Sequence, residues 1–543
     1  MVLSFFQFSF QPPPLNPVTK KAQKIPVFNP VDRHGRVFFF SWMGFMVAFW
    51  GWYTFPPLLT HTITTSLHLT PSHLSTSTIL SLLSTLLIRL LSGPLCDTYG
   101  PRLVFASILF LGCIPLGLAP LITNATGLYV VRFFIGILGG SFVPCQVWTT
   151  AWFDKNVVGT ANAFAGGWGN AGGGVTYFVM PAVFDGLVGR WGMGEGRAWR
   201  VSFVVPLGCL VVCGLGLVLL CEDRPEGGRW GERVAVVEET CGVGDGDGDG
   251  DGDGDGDGEV IEGVIEGVRP KDGTVTPTEK PTMDEEKRST KAAISSDNES
   301  TAPNHTDIER ASPPSPVQGP SAPSATQILL SPQTLFHILT YFCSFGSELA
   351  INSILSSYFL SVSPSSLTQT SASNYAAIFG FLNFFTRPAG GLVSDLLYNL
   401  TSGSPSSPSP NVTPNANQGN KTNTKPLWAR KLLISLCCTL SGIFLLLLGL
   451  LPSPSSSLRT TLPLTILSAI FLEAGNGANF GLIPFVWPER NGVVSGLTGA
   501  GGNLGGVVFA LVFRFVEGHG SRKGPLTLYH LLAVVLWAGT GYE

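Results

Sequence analysis

Charge is what this sequence most lacks. Only 13% of its 543 residues are Asp, Glu, Lys or Arg, while 45% are hydrophobic; a soluble globular chain carries roughly 25% charged residues. A chain this long has too little polar surface to cover itself in water, which excludes an ordinary soluble fold and points to an integral membrane protein. The net charge of −4 offers no basic surface for nucleic acid. The ten cysteines form no Cys-x-x-Cys pair, and most (Cys113, Cys145, Cys209, Cys213, Cys343, Cys437, Cys438) lie in apolar runs, where they read as small buried side chains. Neither a metal-ligand spacing nor a nucleophile–base constellation is present, so no metal, cofactor or enzyme activity is expected. The short apolar N-terminal stretch runs into Pro12-Pro13-Pro14 without a clear small-residue cleavage site, and it is not read as a signal peptide.

What is present is a series of apolar runs, each long enough to cross about 30 Å of hydrocarbon. Six fall near 37–59, 75–95, 102–122, 127–149, 157–188 and 199–221, and six more near 333–360, 375–399, 429–451, 460–486, 491–516 and 526–541, the last of them short. The expected fold is all-α: twelve transmembrane helices in two halves, 37–221 and 331–543, preceded by a segment 1–36 and separated by 222–330. The separating segment is rich in Pro, Ser, Thr, Asp and Glu, holds seven consecutive Asp-Gly pairs from Asp245, and reads as disordered and soluble. Asp251, Asp253, Asp255, Gly256 and Glu262 fit the spacing of a calcium loop. An Asp-Gly repeat meets half that pattern by chance, however, and no amphipathic helices flank it. Lys and Arg gather on the side of the termini and the central loop, while 60–73, 123–126 and 361–374 have none, so both termini and the loop are expected in the cytoplasm.

The two halves echo each other. "RLLSGPLCD" (Arg89 to Asp97) and "RPAGGLVSD" (Arg387 to Asp395) occupy the second and eighth spans, with Gly93 matching Gly391. "GNAGG" and "GNLGG" occupy the fifth and eleventh, preceded by Asp154-Lys155-Asn156 and Glu489-Arg490-Asn491. A duplication follows, with a site between the halves near the midplane. Six of the nine residues from Gly166 to Gly174 are glycine. No Gly-Lys-Ser/Thr accompanies them, which excludes a phosphate loop. Their recurrence in the other half argues against a linker and leaves close helix packing, with contact to a small substrate as the functional addition. Arg89 and Arg387 each lie eight residues before an aspartate expected at a helix end, about 12 Å deeper in the membrane. An arginine there costs at least ~2.5–3.5 kcal/mol. Two at equal depth in matched helices suggest a pair of forked cations converging on one planar anion. The competing reading is two structural ion pairs with Glu348 and Glu473. Asn170 and Asn503, each inside a glycine cluster, serve either substrate or helix packing. Arg132, nearer the outer end, reads as gating or structural, and Trp52, Tyr53 and Phe55 as site walls or interface belt.

These residues resemble a known family. "GPLCDTYGPR" (Gly93 to Arg102) resembles the major-facilitator loop signature, which marks Asp97 and Arg102 as conformational residues with Asp395 as the counterpart of Asp97. "AGGWGNAGGG" (with Gly166, Gly167, Gly169, Gly172 and Gly173) and "GAGGNLGG" (with Gly501, Gly502, Gly505 and Gly506) resemble the paired signatures of nitrate/nitrite porters. "VFNPVDRHGRVFFFSW", "SFGSELAINSIL" and "EAGNGANFGLIPFV" resemble the fungal members. The resemblance implies nitrate uptake at the plasma membrane, nitrite often accepted, with proton symport. It also implies a site made by Arg89, Arg387, Asn170 and Asn503, with both arginines free of protein partners when open outward. Glu348 is a candidate for proton coupling, and the central loop for cytoplasmic regulators. The long loop 400–427, the Asp-Gly repeat and the short last span depart from the pattern. Proton-free nitrate/nitrite exchange, another small anion, or a transporter-like nitrate sensor are the alternatives.

Overall fold

The structure is a computed structural model that describes residues 5–59, 62–230, 324–362, 367, 369–402, 425–451 and 457–515. The Asp-Gly repeat with its calcium-loop pattern, most of the loop 400–427 and the twelfth span at 526–541 lie outside the described residues. The described residues are overwhelmingly helical. The first half comprises α1 (Arg33–Tyr53), α2 (Phe55–Leu59), α3 (Thr62–Leu67), α4 (Pro71–Tyr99), α5 (Pro101–Leu118), α6 (Ala125–Ile135), α7 (Phe142–Trp152), α8 (Val158–Asn170), α9 (Gly172–Gly189), α10 (Glu195–Ser202) and α11 (Val204–Leu220). The second comprises α12 (Ala325–Leu330), α13 (Pro332–Val362), α14 (Gln369–Leu382), α15 (Thr386–Thr401), α16 (Lys425–Leu450), α17 (Leu458–Leu482) and α18 (Asn491–Phe515). Ten helical stretches among them are long and apolar enough to cross a membrane. The eighth expected span is there as two shorter helices, α14 and α15, interrupted at 383–385. Large apolar side chains on the outer surface, such as Leu91 at 60% and Leu219 at 75% exposure, are the face such a bundle turns to lipid.

The described segments outside the spans are structured. Residues 5–32 dock on the first half. Phe6–Gln7 pairs in parallel with Ile25–Pro26, and fully buried Ala22 donates to the Trp152 carbonyl (2.9 Å) and accepts from the Asp154 amide (3.0 Å). Asp32 caps α1 by accepting from the amides of His34 and Gly35. The central segment is also structured at both ends. Arg102 bonds Asp223 (2.8 Å) and the Cys221 carbonyl (2.8 Å), Trp148 and Trp152 donate to the carbonyls of Glu222 and Asp223, and Ser324 with Gln327 forms a capping box on α12. Composition suggested a solvated loop, but aromatic N–H donors at the bundle end give residues 222–230 enough partners to be held.

The glycine clusters do what close packing requires. A Cβ on Gly172 would overlap the Met46 carbonyl, one on Gly169 the Phe45 ring, and one on Gly505 the Phe342 carbonyl; one on Gly502 would come within 2.6 Å of Tyr341. Gly167 and Gly391 allow the same approach between halves, α8 against α15, and Gly93 does so for α4 against α18. Gly166 and Gly173 are looser, with nearest atoms at 3.1 and 3.2 Å. Gly172→Ala and Gly505→Ala should each lower stability by about 1–3 kcal/mol, the usual cost of overpacking. Gly186→Ala, where a Cβ meets nothing within 4 Å, should leave stability unchanged or gain about 0.5–1 kcal/mol of helix propensity. Thermal unfolding of the detergent-solubilised protein checks all three.

Candidate substrate site between the two halves

The site is assembled from the matched helices α4 and α15, each packed on a helix of the opposite half, α4 on α18 and α15 on α8. Arg89, on α4, is fully buried. Its Nε donates to the Gly139 carbonyl (2.9 Å) and Nη1 to the Gly499 carbonyl (3.1 Å). Among the described residues it bonds no carboxylate. Arg387, on α15, is paired: Nη2 meets Glu348 Oε2 at 3.0 Å. Glu348 accepts further from Asn383 (3.0 Å) and Asn476 (2.9 Å), so three donors hold one carboxylate. Both guanidinium groups lie over the same ring, Phe345, at 5.3 and 5.8 Å from its centroid, and Arg89 also covers Phe142 at 4.9 Å. An aromatic face attracts a cation without cancelling its charge. The second buried carboxyl, Glu473, accepts from the Thr386 hydroxyl.

A cavity of about 40 Å³ opens beside this cluster, lined among others by Tyr53, Asn170, Phe345, Glu348 and Asn383. By the usual measure of about 10–15 Å³ per water, it has room for a few waters or one small anion. Asn170 lines it with neither amide atom hydrogen-bonded within the protein, although the residue is buried. Buried amides are nearly always partnered, so this one is positioned to bond something within the cavity.

The structure brings some of the sequence-derived site residues together and separates others. Arg89 and Arg387 meet around one ring, and Asn170 and Glu348 line the cavity. Asn503 does not point into it: its Nδ2 donates to the Gly499 carbonyl (2.9 Å), the same oxygen that receives Arg89. The expectation of two partner-free arginines fails for Arg387, which Glu348 already holds. The competing expectation of two ion pairs is equally half met, since Glu473 bonds a hydroxyl. Tyr53 is a site wall, but Trp52 and Phe55 stand over Arg132 instead, at 5.8 and 5.7 Å. Phe345 and Asn476 stand within the stretches "SFGSELAINSIL" and "EAGNGANFGLIPFV", but like Asn383 they show no role in the sequence, because a lone aromatic or amide carries no signal until its neighbours are known.

At the face that carries residues 5–32, the two matched aspartates cap helices of the opposite half. Asp97 accepts from the amides of Gly492 (2.8 Å) and Val493 (3.0 Å) at the start of α18. Asp395 accepts from the Thr160 amide (2.6 Å) and hydroxyl (2.8 Å) at the start of α8, and pairs with Arg430 at 2.7 Å. A carboxylate at a helix N-terminus meets both free N–H groups and the positive end of the dipole. These bonds tie the two halves together at that face. Arg102, by contrast, stays within its own half at Asp223.

The Major Facilitator Superfamily profile matches residues 41–510. The chain belongs to the major facilitator superfamily. Its relatives include the high affinity nitrate transporter 2.5 of Arabidopsis thaliana, 28% identical over 95% of this chain and 80% of the relative. The nitrate/nitrite transporter NrtP of Nostoc punctiforme is 23% identical over 90% and 89%, and the elsinochrome transporter 1 of Elsinoe fawcettii 30% identical over 92% and 91%. The nitrate-named relatives make the chain similar to the nitrate/nitrite porters, within a superfamily of transporters and not enzymes. The E. coli fucose:proton symporter FucP shares the fold, with a TM-score of 0.52 at 13% identity over 94% of this chain and 98% of that one.

Because Asp395 and Arg430 are both fully buried, Arg430→Ala strands a carboxylate and should cost about 3–5 kcal/mol. Arg33→Ala, which breaks an exposed pair with Glu222, should cost at most about 1 kcal/mol. Unfolding midpoints of the two variants provide the comparison.

Proposed function

We propose that the protein imports nitrate, and nitrite with it, together with protons across the plasma membrane by alternating access, with both termini in the cytoplasm. The observation that carries this reading is the pair of buried guanidinium groups around Phe345, one contributed by each half, beside a cavity of small-anion size. A planar oxyanion matches the fork of Arg387 and the unshared cationic charge of Arg89, and the unpartnered amide of Asn170 supplies a further donor. The nitrate-named relatives favour this anion over others, and a cavity this small favours a few-atom cargo.

Glu348 gives the mechanism its first step. It occupies Arg387 when nitrate is absent, so an arriving anion takes over a position that the protein's own carboxylate fills. With nitrate between the arginines their mutual repulsion falls, the halves draw together on the outer side, and the aspartate bonds at the inner face release. Arg89 and Asp97 share one helix, as do Arg387 and Asp395, so rocking a half moves site and closure together. An interior-negative potential opposes anion import by ~2.3 kcal/mol per charge per 100 mV. Two protons with each nitrate make the cycle inward-driven.

Nitrate-evoked current and tracer uptake in oocytes at two external pH values test this. The wild type should give an inward current that grows with acidity. Arg387→Lys retains charge but loses the fork, and its affinity should fall by about tenfold or more. Asn170→Ala removes one hydrogen bond and should weaken nitrate about two- to tenfold. Uptake without current would replace symport with electroneutral exchange, and absence of uptake by surface-expressed protein would favour a sensor.

A further inference from the structure

We propose that Glu473 is the residue that takes up a transported proton, and that it does so when nitrate displaces Glu348 from Arg387. The proposal rests on the reading of this site as a nitrate site. Four charged side chains meet in the buried centre of the bundle: Arg89, Arg387, Glu348 and Glu473, none more than 3% exposed. With all four ionised the set is neutral. A bound nitrate leaves it one negative charge in excess, and burial makes that uncompensated charge costly. One proton restores the balance, and it must rest on one of the two carboxyls.

The hydrogen bonds decide which. Glu348 receives Arg387, Asn383 and Asn476, donors that favour the carboxylate. If nitrate takes Arg387, the two amides still hold Glu348 ionised. Glu473 has one partner, the Thr386 hydroxyl on Oε2, and Oε1 is buried with none. That free oxygen is where the proton sits. The charged groups facing it from the elements packed around α17 are Glu348 of α13 and Arg387 of α15. On α16, Arg430 is committed to Asp395, and Lys431 lies over Phe336 and Trp428. His337 of α13 bonds Asn479, while α8 and α14 carry no Asp, Glu, Lys, Arg or His. Glu348 lines the cavity, so on this proposal a proton reaches Glu473 past that carboxyl. When the anion leaves to the inside, Arg387 returns to Glu348 and the proton follows the anion out.

The test uses purified full-length protein in weakly buffered detergent, titrated with nitrate while protons are counted, and proteoliposomes that compare nitrate counterflow with uptake driven by a pH gradient. The wild type should take up about one proton at this site per nitrate bound. Glu473→Gln, a neutral mimic of the protonated acid, should bind and exchange nitrate, take up no proton there, and lose pH-driven accumulation. Thr386→Val keeps the acid but removes the hydroxyl that stabilises its charged form, so the proton is held to higher pH and the pH profile of nitrate binding should move upward. Proton uptake persisting in Glu473→Gln, or an unmoved profile in Thr386→Val, overturns the assignment; if the Gln variant does not fold, the Val variant decides. A wild type that neither binds nor exchanges nitrate overturns the nitrate reading itself, and this proposal with it.

Discussion

A cation removed from water has to be answered by something, and in this protein the answer differs between two matched arginines. Arg387 has a carboxylate with three donors on it. Arg89 has two backbone carbonyls and two aromatic rings, which hold the guanidinium in place while leaving its charge uncancelled. On the proposed reading, a site with one arginine neutralised and one open suits a single negative charge, and that anion competes with Glu348 for Arg387.

The bonding of the halves at the face that carries residues 5–32 depends on the same two helices. Asp97 and Asp395 each reach across to helix amides of the other half, and each is joined to its arginine by a stretch of α-helix about 12 Å long. Those bonds form only because the backbones touch. Gly93 faces the Gly492 carbonyl and Gly391 that of Gly159, so closely that a Cβ on either would stand 2.6 and 2.5 Å from the oxygen. Glycine packing, the aspartate caps and the arginine site are therefore three parts of one lever.

The duplication is not symmetric in use. The second half contributes the carboxyls Glu348 and Glu473 and the buried Asp395–Arg430 pair. The first half contributes the open Arg89, Asn170 and the docked segments 5–32 and 222–230. Asn503, the formal partner of Asn170, braces the carbonyl that receives Arg89. Each half thus supplies one arginine to the cluster, while the buried carboxyls beside them come from the second half alone.

Periodic apolar runs, the scarcity of charge and the repeated Arg–Asp spacing were enough to establish a two-half membrane bundle with arginines at its centre, because hydrocarbon thickness and helix rise dictate depth residue by residue. The paired glycine clusters likewise announced close packing, since only backbone contact repays their cost in a helix. Nothing in the linear pattern could say that Glu348 would pair with Arg387 while Glu473 turned to Thr386, that Asn170 would face the cavity and Asn503 its own helix, or that polar ends of the central segment would dock on tryptophans. Those outcomes depend on rotamers and distances between residues tens to hundreds of positions apart, and they were decided only when the helices were brought together.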